Sequence, residues 1–278
     1  MNIKNTVPLK RLIEQYRKSN LNYKLLIILG ENKEGIPEFA DLVDLKHIIM
    51  GGTTGSGKSM FIHTVISTLL PLYTPNQLRI YLADVKRVEY QSYEGLPYLL
   101  SPINKSWEAE RIFTSLEWLI HEKNLRLKIG KEFHKRPYIV LVIDTFSDLM
   151  YYDSQKFQDY ISKLIDRASE VKMHVILSDS RIGIELYTKL IMSLFPTKIC
   201  FNAYDAKASE LIIGTEGGEK LLGVGDMLFL PPNRKTAIRL QAPYISEEEI
   251  NSLTNSLIKS YDQRNKQKEH EKDKRVQG

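Results

Sequence analysis

The sequence predicts an α/β protein built on a doubly wound, mainly parallel sheet with helices on both faces. Three observations carry this. Short apolar runs alternate with stretches of helical apolar spacing through the middle of the chain. Residues 138–143, Tyr-Ile-Val-Leu-Val-Ile, form an unbroken apolar run rich in β-branched types, as in a strand covered on both faces. A glycine-rich turn joins a short buried strand at 47–50 to an apolar helix at 58–70. Such alternation calls for parallel strands joined by right-handed crossovers.

Taken in order, Pro8 is a natural opening residue for a short basic helix over 9–16. Residues 23–29 read as a strand that enters a turn at 30–35. Beyond the glycine-rich turn and its helix, a strand is expected at 78–82. Ile112, Leu116, Leu119 and Ile120 then recur at helical spacing and predict a long helix over 107–128. Pro137 breaks the chain before the strand at 138–143. A helix at 157–168, a strand at 173–177, a helix at 184–194 and a strand at 197–201 follow. Residues 226–230 and 236–240 flank Pro231-Pro232-Asn233 and predict a hairpin at the sheet edge. Ser246-Glu247-Glu248-Glu249 has the form of a capping box opening a final helix. The expected plan is an N-terminal helical extension over 1–22, one domain over 23–260 and a charged, disordered tail over 261–278. The tail has almost nothing apolar to bury against its ordering entropy.

A chain of 278 residues, 42% hydrophobic and 26% charged, has an ordinary globular composition. Its one cysteine, Cys200, excludes a disulfide framework and fits a reducing, cytoplasmic setting. No apolar run approaches the roughly 20 residues that span a bilayer, so no membrane span is expected. The net charge of +5 is compatible with a polyanionic partner, although much of the excess sits in the tail.

The chemistry is written in Gly52-Thr53-Thr54-Gly55-Ser56-Gly57-Lys58-Ser59, followed by Met60. It fits G-x-x-x-x-G-K-[S/T] and lies between a predicted strand and a predicted helix, as a phosphate-binding P-loop requires. Gly55 and Gly57 let backbone amides turn inward to make a nest for phosphate oxygens. The helix that starts there adds unpaired N–H groups and the positive end of its dipole. Lys58 supplies a mobile charge for the β- and γ-phosphates of ATP, and the Ser59 hydroxyl is a hard ligand for Mg²⁺. Asp144, at the end of the apolar strand, is the expected acidic partner of that ion.

Several stretches resemble, in order and spacing, the motor domain of FtsK/SpoIIIE DNA translocases. They are the loop just described, Asp84 to Glu89, Tyr93 to Leu100, Asp144 to Met150, Pro196 to Ile199 and Glu219 to Phe229. The resemblance covers residues 25–250 and implies a RecA-like P-loop NTPase fold, a homo- or hetero-hexameric ring and double-stranded DNA held in its centre. The sequence also departs from that family. Where the family has a Glu that activates the attacking water, this chain has Thr145, and a general base is worth about two to four powers of ten in rate. Ser180 stands where the family carries a sensor Gln, while Arg181 is kept and is a catalytic candidate beside Lys58 and Asp144. Ala208-Ser209-Glu210-Leu211 aligns with the family run that holds an arginine finger. The membrane spans and the C-terminal DNA-reading module of the long translocases have no counterpart in this sequence.

Three readings follow. The chain is a working DNA pump, with Asp148, Asp179 or Glu89 taking over the water. Alternatively, it is a hydrolysis-deficient subunit that binds ATP and DNA beside an active translocase. A secretion-type relative moving protein ranks last. Lys86, Arg87, Arg181 and Lys198 are candidates for DNA phosphates and equally for solvated surface charge. Tyr90, Tyr93 and Tyr98 are candidates for a stacking surface or for the core. His174 is expected to be structural and Cys200 an inert buried thiol.

Overall fold

The structure, a computed structural model, describes residues 6–84, 89–103 and 109–276. It begins with β1 (Val7–Pro8), α1 (Leu9–Lys18), β2 (Leu26–Glu31), β3 (Pro37–Asp41) and the single turn α2 (Leu42–Leu45). The central units are β4 (Ile48–Gly51), α3 (Lys58–Leu69), β5 (Leu78–Asp84), α4 (Ala109–Lys128) and β6 (Tyr138–Asp144). Next come α5 (Ser147–Ile165), β7 (Met173–Asp179), α6 (Lys189–Leu194), β8 (Thr197–Phe201) and α7 (Ala206–Ile213). The chain finishes with β9 (Asp226–Leu230), β10 (Ile238–Gln241), β11 (Pro243–Tyr244) and α8 (Glu247–Val276).

One sheet of nine strands, in the order β3-β2-β10-β9-β8-β4-β7-β6-β5, runs through the molecule. From β8 to β5 every neighbouring pair is parallel. Beyond β8 the pairs are antiparallel. The central strands are covered on both faces, which explains their continuous apolar runs. Val140 and Val142 enter one core cluster while Ile139, Leu141 and Ile143 enter the other. Ile48 and Met50 separate from Ile49 in the same way. This is the doubly wound α/β arrangement expected from the alternating pattern.

Several elements differ from the sequence reading. The β9–β10 hairpin forms, with Ile238 opposite Phe229, but it lies inside the sheet. β2 is buried at all six residues and needs a neighbour on each side, so it joins β10 and adds β3 as the true edge. α5 starts ten residues before the expected 157, with a kink at Asp153 (φ −155°, ψ 91°) that interrupts its periodicity. α6 is shorter than expected because Thr188 caps it, its hydroxyl accepting from the Ile191 amide at 3.3 Å. The charged stretch expected to be disordered continues α8, which is helical to Val276. Its Lys, Glu, Gln and Arg residues are strong helix formers, so local propensity favours continuing the helix. The capping box closes as expected, with Ser246 N–H donating to Glu249 Oε2 (2.9 Å) and Glu249 N–H to Ser246 Oγ (3.2 Å).

The N-terminal helix packs onto this same body: Leu9 and Leu12 are buried, β1 pairs with β11, and Arg11 bonds Glu31 at 2.6 Å. Among the described residues, no helix is long and apolar enough to cross a membrane.

Candidate functional site

Strands β4, β5, β6 and β7 end at one rim of the sheet, and the side chains singled out by the sequence gather there. β4 runs into the loop Gly52-Thr53-Thr54-Gly55-Ser56-Gly57, and α3 starts at Lys58. Gly57, at the N-cap, has φ 115°, a conformation L side chains rarely adopt. A Cβ there would also lie 2.5 Å from the Gly225 nitrogen. That closeness is used: Gly225 N–H donates to the Ser56 carbonyl at 2.8 Å, bracing the loop from the β9 side. Thr53 N–H donates to the Asn202 carbonyl at 2.7 Å, bracing its start. Ser56 Oγ is buried and finds no hydrogen-bond partner among the described residues.

Lys58 is buried, and its ammonium donates to the carbonyls of Gly52 (2.8 Å) and Thr53 (2.9 Å). Ser59 Oγ donates to Asp144 Oδ2 at 3.3 Å. The same carboxylate oxygen accepts from the Tyr90 hydroxyl at 2.8 Å. Burial, and then the Asp144 charge, raise the Tyr90 pKa well above its ordinary value, so the phenol stays a donor. Asp84 lies opposite Asp144 in the β5–β6 register, and its Oδ2 accepts the amides of Glu89 (3.0 Å) and Tyr90 (3.2 Å). Thr54, Gly55, Lys58, Ser59, Asp84, Glu89, Asp144, Thr145 and Ser180 together line one cleft. An ammonium, a hydroxyl and a carboxylate in one cleft suit a phosphate with a hard divalent cation.

The model of the FtsK/SpoIIIE family matches residues 8–129. The chain is 32% identical over 281 residues to a DNA translocase FtsK of Chlamydia pneumoniae, covering 92% of this chain. The FtsK of Clostridium tetani is likewise 32% identical, over 89% of this chain. This chain belongs to the FtsK/SpoIIIE family. It spans 35% of the length of either relative. Two solved structures share the fold. The cytoplasmic domain of the Thermomonospora curvata type VII secretion ATPase EccC has a TM-score of 0.78 at 17% identity, covering 91% of this chain and 34% of that one. The pCW3 conjugation coupling protein TcpA, in its monomer form with ATPgS, has a TM-score of 0.73 at 22% identity, covering 86% and 71%. The fold is that of RecA-like P-loop ATPases.

For an FtsK/SpoIIIE domain, the altered positions are the informative ones. Thr145 has φ 70°, which is a genuine outlier for a β-branched residue, and its amide donates to the Ser178 carbonyl at 2.9 Å. It is buried and faces the cleft. Arg181 is not brought to the cleft. Its Nη1 donates to Asp148 Oδ1 (2.6 Å) and Ser147 Oγ (3.3 Å), and its guanidinium lies 5.5 Å from the Tyr151 ring centroid. Asp179 is fully buried, accepts the Ser147 and Arg181 amides, and has a pKa raised by burial. Ala208 and Ser209 face the core from α7, and Ser209 Oγ donates to the Thr215 carbonyl at 2.7 Å. Met60 packs against the core from the first turn of α3. Lys198 lies on β8, away from the cleft, and Lys86 and Arg87 fall outside the described residues.

Tyr90, Tyr93 and Tyr98 are all buried, so they form no exposed stacking surface. Tyr93 instead holds His63 through a 2.9 Å bond to Nδ1. His174 is buried with Nδ1 bonded to the Lys46 carbonyl, and burial raises the Cys200 thiol to about 12. The sequence reading missed Tyr90 as the partner of Asp144. Its only signal was position, a few residues past the strand-end acid Asp84. Among the described residues, no three His, Cys, Asp or Glu side chains are grouped to hold a metal ion by themselves.

Proposed function

We propose that this chain is an ATP-driven motor domain that moves double-stranded DNA. The observation that carries this is the Ser59–Asp144 contact beside Lys58, in a chain whose relatives are DNA translocases. Gly52 to Ser59 cradle the phosphates, with Met60 just behind them on α3. Lys58 exchanges the carbonyls of Gly52 and Thr53 for the β- and γ-phosphates. Ser59 and Asp144 hold Mg²⁺, which when bound neutralises charge on the transferred phosphate. Residues 23–260 form the motor body, and copies assemble into a ring around the duplex. Such a motor grips phosphates rather than bases, so its affinity falls steeply with salt and ignores sequence.

The test is ATP turnover with and without long duplex DNA, together with DNA affinity measured across salt concentrations. DNA-stimulated turnover and a sequence-independent, salt-steep affinity are expected. Turnover indifferent to DNA sinks the translocase reading. Tight Mg–ATP binding with no turnover under any condition returns the chain to the role of a hydrolysis-deficient subunit.

A further inference from the structure

We propose that the cavity between α4 and the first residues of β5 and β6 is a second binding site, which takes a carboxylate joined to an aromatic or branched apolar group. The cavity holds about 590 Å³, within the roughly 300–1,000 Å³ of small-ligand sites. It lies away from the phosphate loop. Arg79 and its register partner Ile139 sit near the starts of their strands, whereas Asp84 and Asp144 close them. At about 3.3 Å per residue, Arg79 is about 16 Å from Asp84 along β5.

Arg79, Arg126, Arg136 and Glu122 line this cavity, and the three arginines against one acid leave a surplus of two positive charges. Glu122 is already shared. It accepts from Arg126 Nε at 2.8 Å and from Arg136 Nη1 at 2.9 and 3.1 Å. Arg126 also spends Nη1 on the Pro137 and Val171 carbonyls, which makes it part of the frame. Arg79 has no carboxylate partner among the described residues. Its Nη2 donates to the Leu99 carbonyl at 2.9 Å, and its Nε is buried with no hydrogen-bond partner there. A buried donor on a charged group is costly to leave unmade, so an anion that accepts from it is favoured. The Arg136 side chain, 39% exposed, adds a second positive charge at the solvent side.

The rest of the lining calls for an apolar body on that anion. Leu100, Pro137 and Ile139 form one wall, and the Trp118 indole on α4 stands beside it, half exposed. Covering an indole and aliphatic side chains removes apolar surface from water. The wall is also set in advance. Ile80 N–H donates to the Tyr98 carbonyl and Leu100 N–H to the Ile80 carbonyl, both at 2.9 Å, so the 98–100 segment is fastened along β5. A fixed wall lowers the ordering cost of binding. A carboxylate suits the site better than a phosphate, because a single charge loses less hydration in a partly buried position than a double one. Free organic acids and the C-terminal ends of peptides both offer this chemistry.

The test titrates 1-naphthylacetate, and separately a short acetylated peptide ending in phenylalanine with a free carboxylate, while NMR follows the Trp118 indole N–H. At least one probe should shift that signal saturably. Tighter binding by the peptide supports a chain end as the natural source, and tighter binding by naphthylacetate supports a free acid. The uncharged 1-naphthylacetamide should bind at least about tenfold more weakly than the acid. Arg79→Gln should weaken the acid by about tenfold or more, with Mg–ATP affinity within about threefold of native. Trp118→Ala, at a half-exposed position, should weaken acid and amide alike when binding is read by calorimetry. The proposal is overturned by the absence of a saturable shift at millimolar probe, by an amide that binds as tightly as the acid, or by native affinity in Arg79→Gln. Should Arg79→Gln fail to fold, the acid–amide comparison and Trp118→Ala decide the matter.

Discussion

Tyr90→Phe removes one oxygen from a fully buried side chain and leaves the ring in place. The lost contact is the 2.8 Å bond to Asp144 Oδ2, whose other neutral donor, Ser59, sits at a longer 3.3 Å. A hydrogen bond to a charged group is worth about 1.5–3 kcal/mol, and both partners are shielded from water here. A loss of about 2 kcal/mol in a chain of this size lowers Tm by about 4–8 °C. The functional effect follows from the freed carboxylate. Without its anchor Asp144 must be ordered on binding, at about 0.5–1.5 kcal/mol for one side chain. At about 1.4 kcal/mol per tenfold, the Mg²⁺ concentration that half-saturates ATP binding rises roughly twofold to twelvefold. Calorimetric melting and a Mg²⁺ titration of nucleotide binding measure the two effects. Unchanged Tm together with unchanged Mg²⁺ dependence would refute Tyr90 as a support of this site.

Two further predictions concern the frame that holds the cleft. Burial depresses His47 to about 3 and both His63 and His174 to about 4. Between about pH 6.5 and 4 the unfolded chain therefore binds protons that the folded chain does not. Stability should fall with pH at about 1.4 kcal/mol per unit for each histidine, or about 4 for the three. Thermal melts at pH 6.5 and 5.5 should differ by at least several degrees, and a flat or rising Tm would contradict the neutral, buried assignment. Glu122 joins buried Arg126 (2.8 Å) and half-exposed Arg136 (2.9 Å) where α4 meets the start of β6. Glu122→Gln leaves Arg126 unpaired inside the protein and should cost about 3 kcal/mol in urea unfolding. A cost under about 1 kcal/mol would mean that the Pro137 and Val171 carbonyls, which Arg126 also reaches, suffice to hold it.

The parallel core and the phosphate loop were legible in the sequence because both are encoded locally. A strand buried on two faces must be apolar at every position, and 138–143 is. A loop that turns its amides inward needs glycine where φ is positive, and Gly55 and Gly57 both adopt positive φ. Ser59 and Asp144 could be paired in advance because each closes a strand-linked motif. The hairpin position, the length of α6, the early start of α5 and the helical tail were misread. In each case the outcome depended on a cap, a kink, local helix propensity or a strand from elsewhere in the chain.

The sequence by itself determined a phosphate-cradling loop, a lysine, a hydroxyl and a strand-end acid, because those roles impose residue types at fixed spacing. Only the tertiary structure decided which other groups face them. Arg181 turned to Asp148, Asp179 was sealed in the interior, and Glu89 and Tyr90 were drawn to the cleft by Asp84. These choices follow from which strand ends lie side by side, and strand adjacency is set by the burial of the whole sheet rather than by any short run of residues.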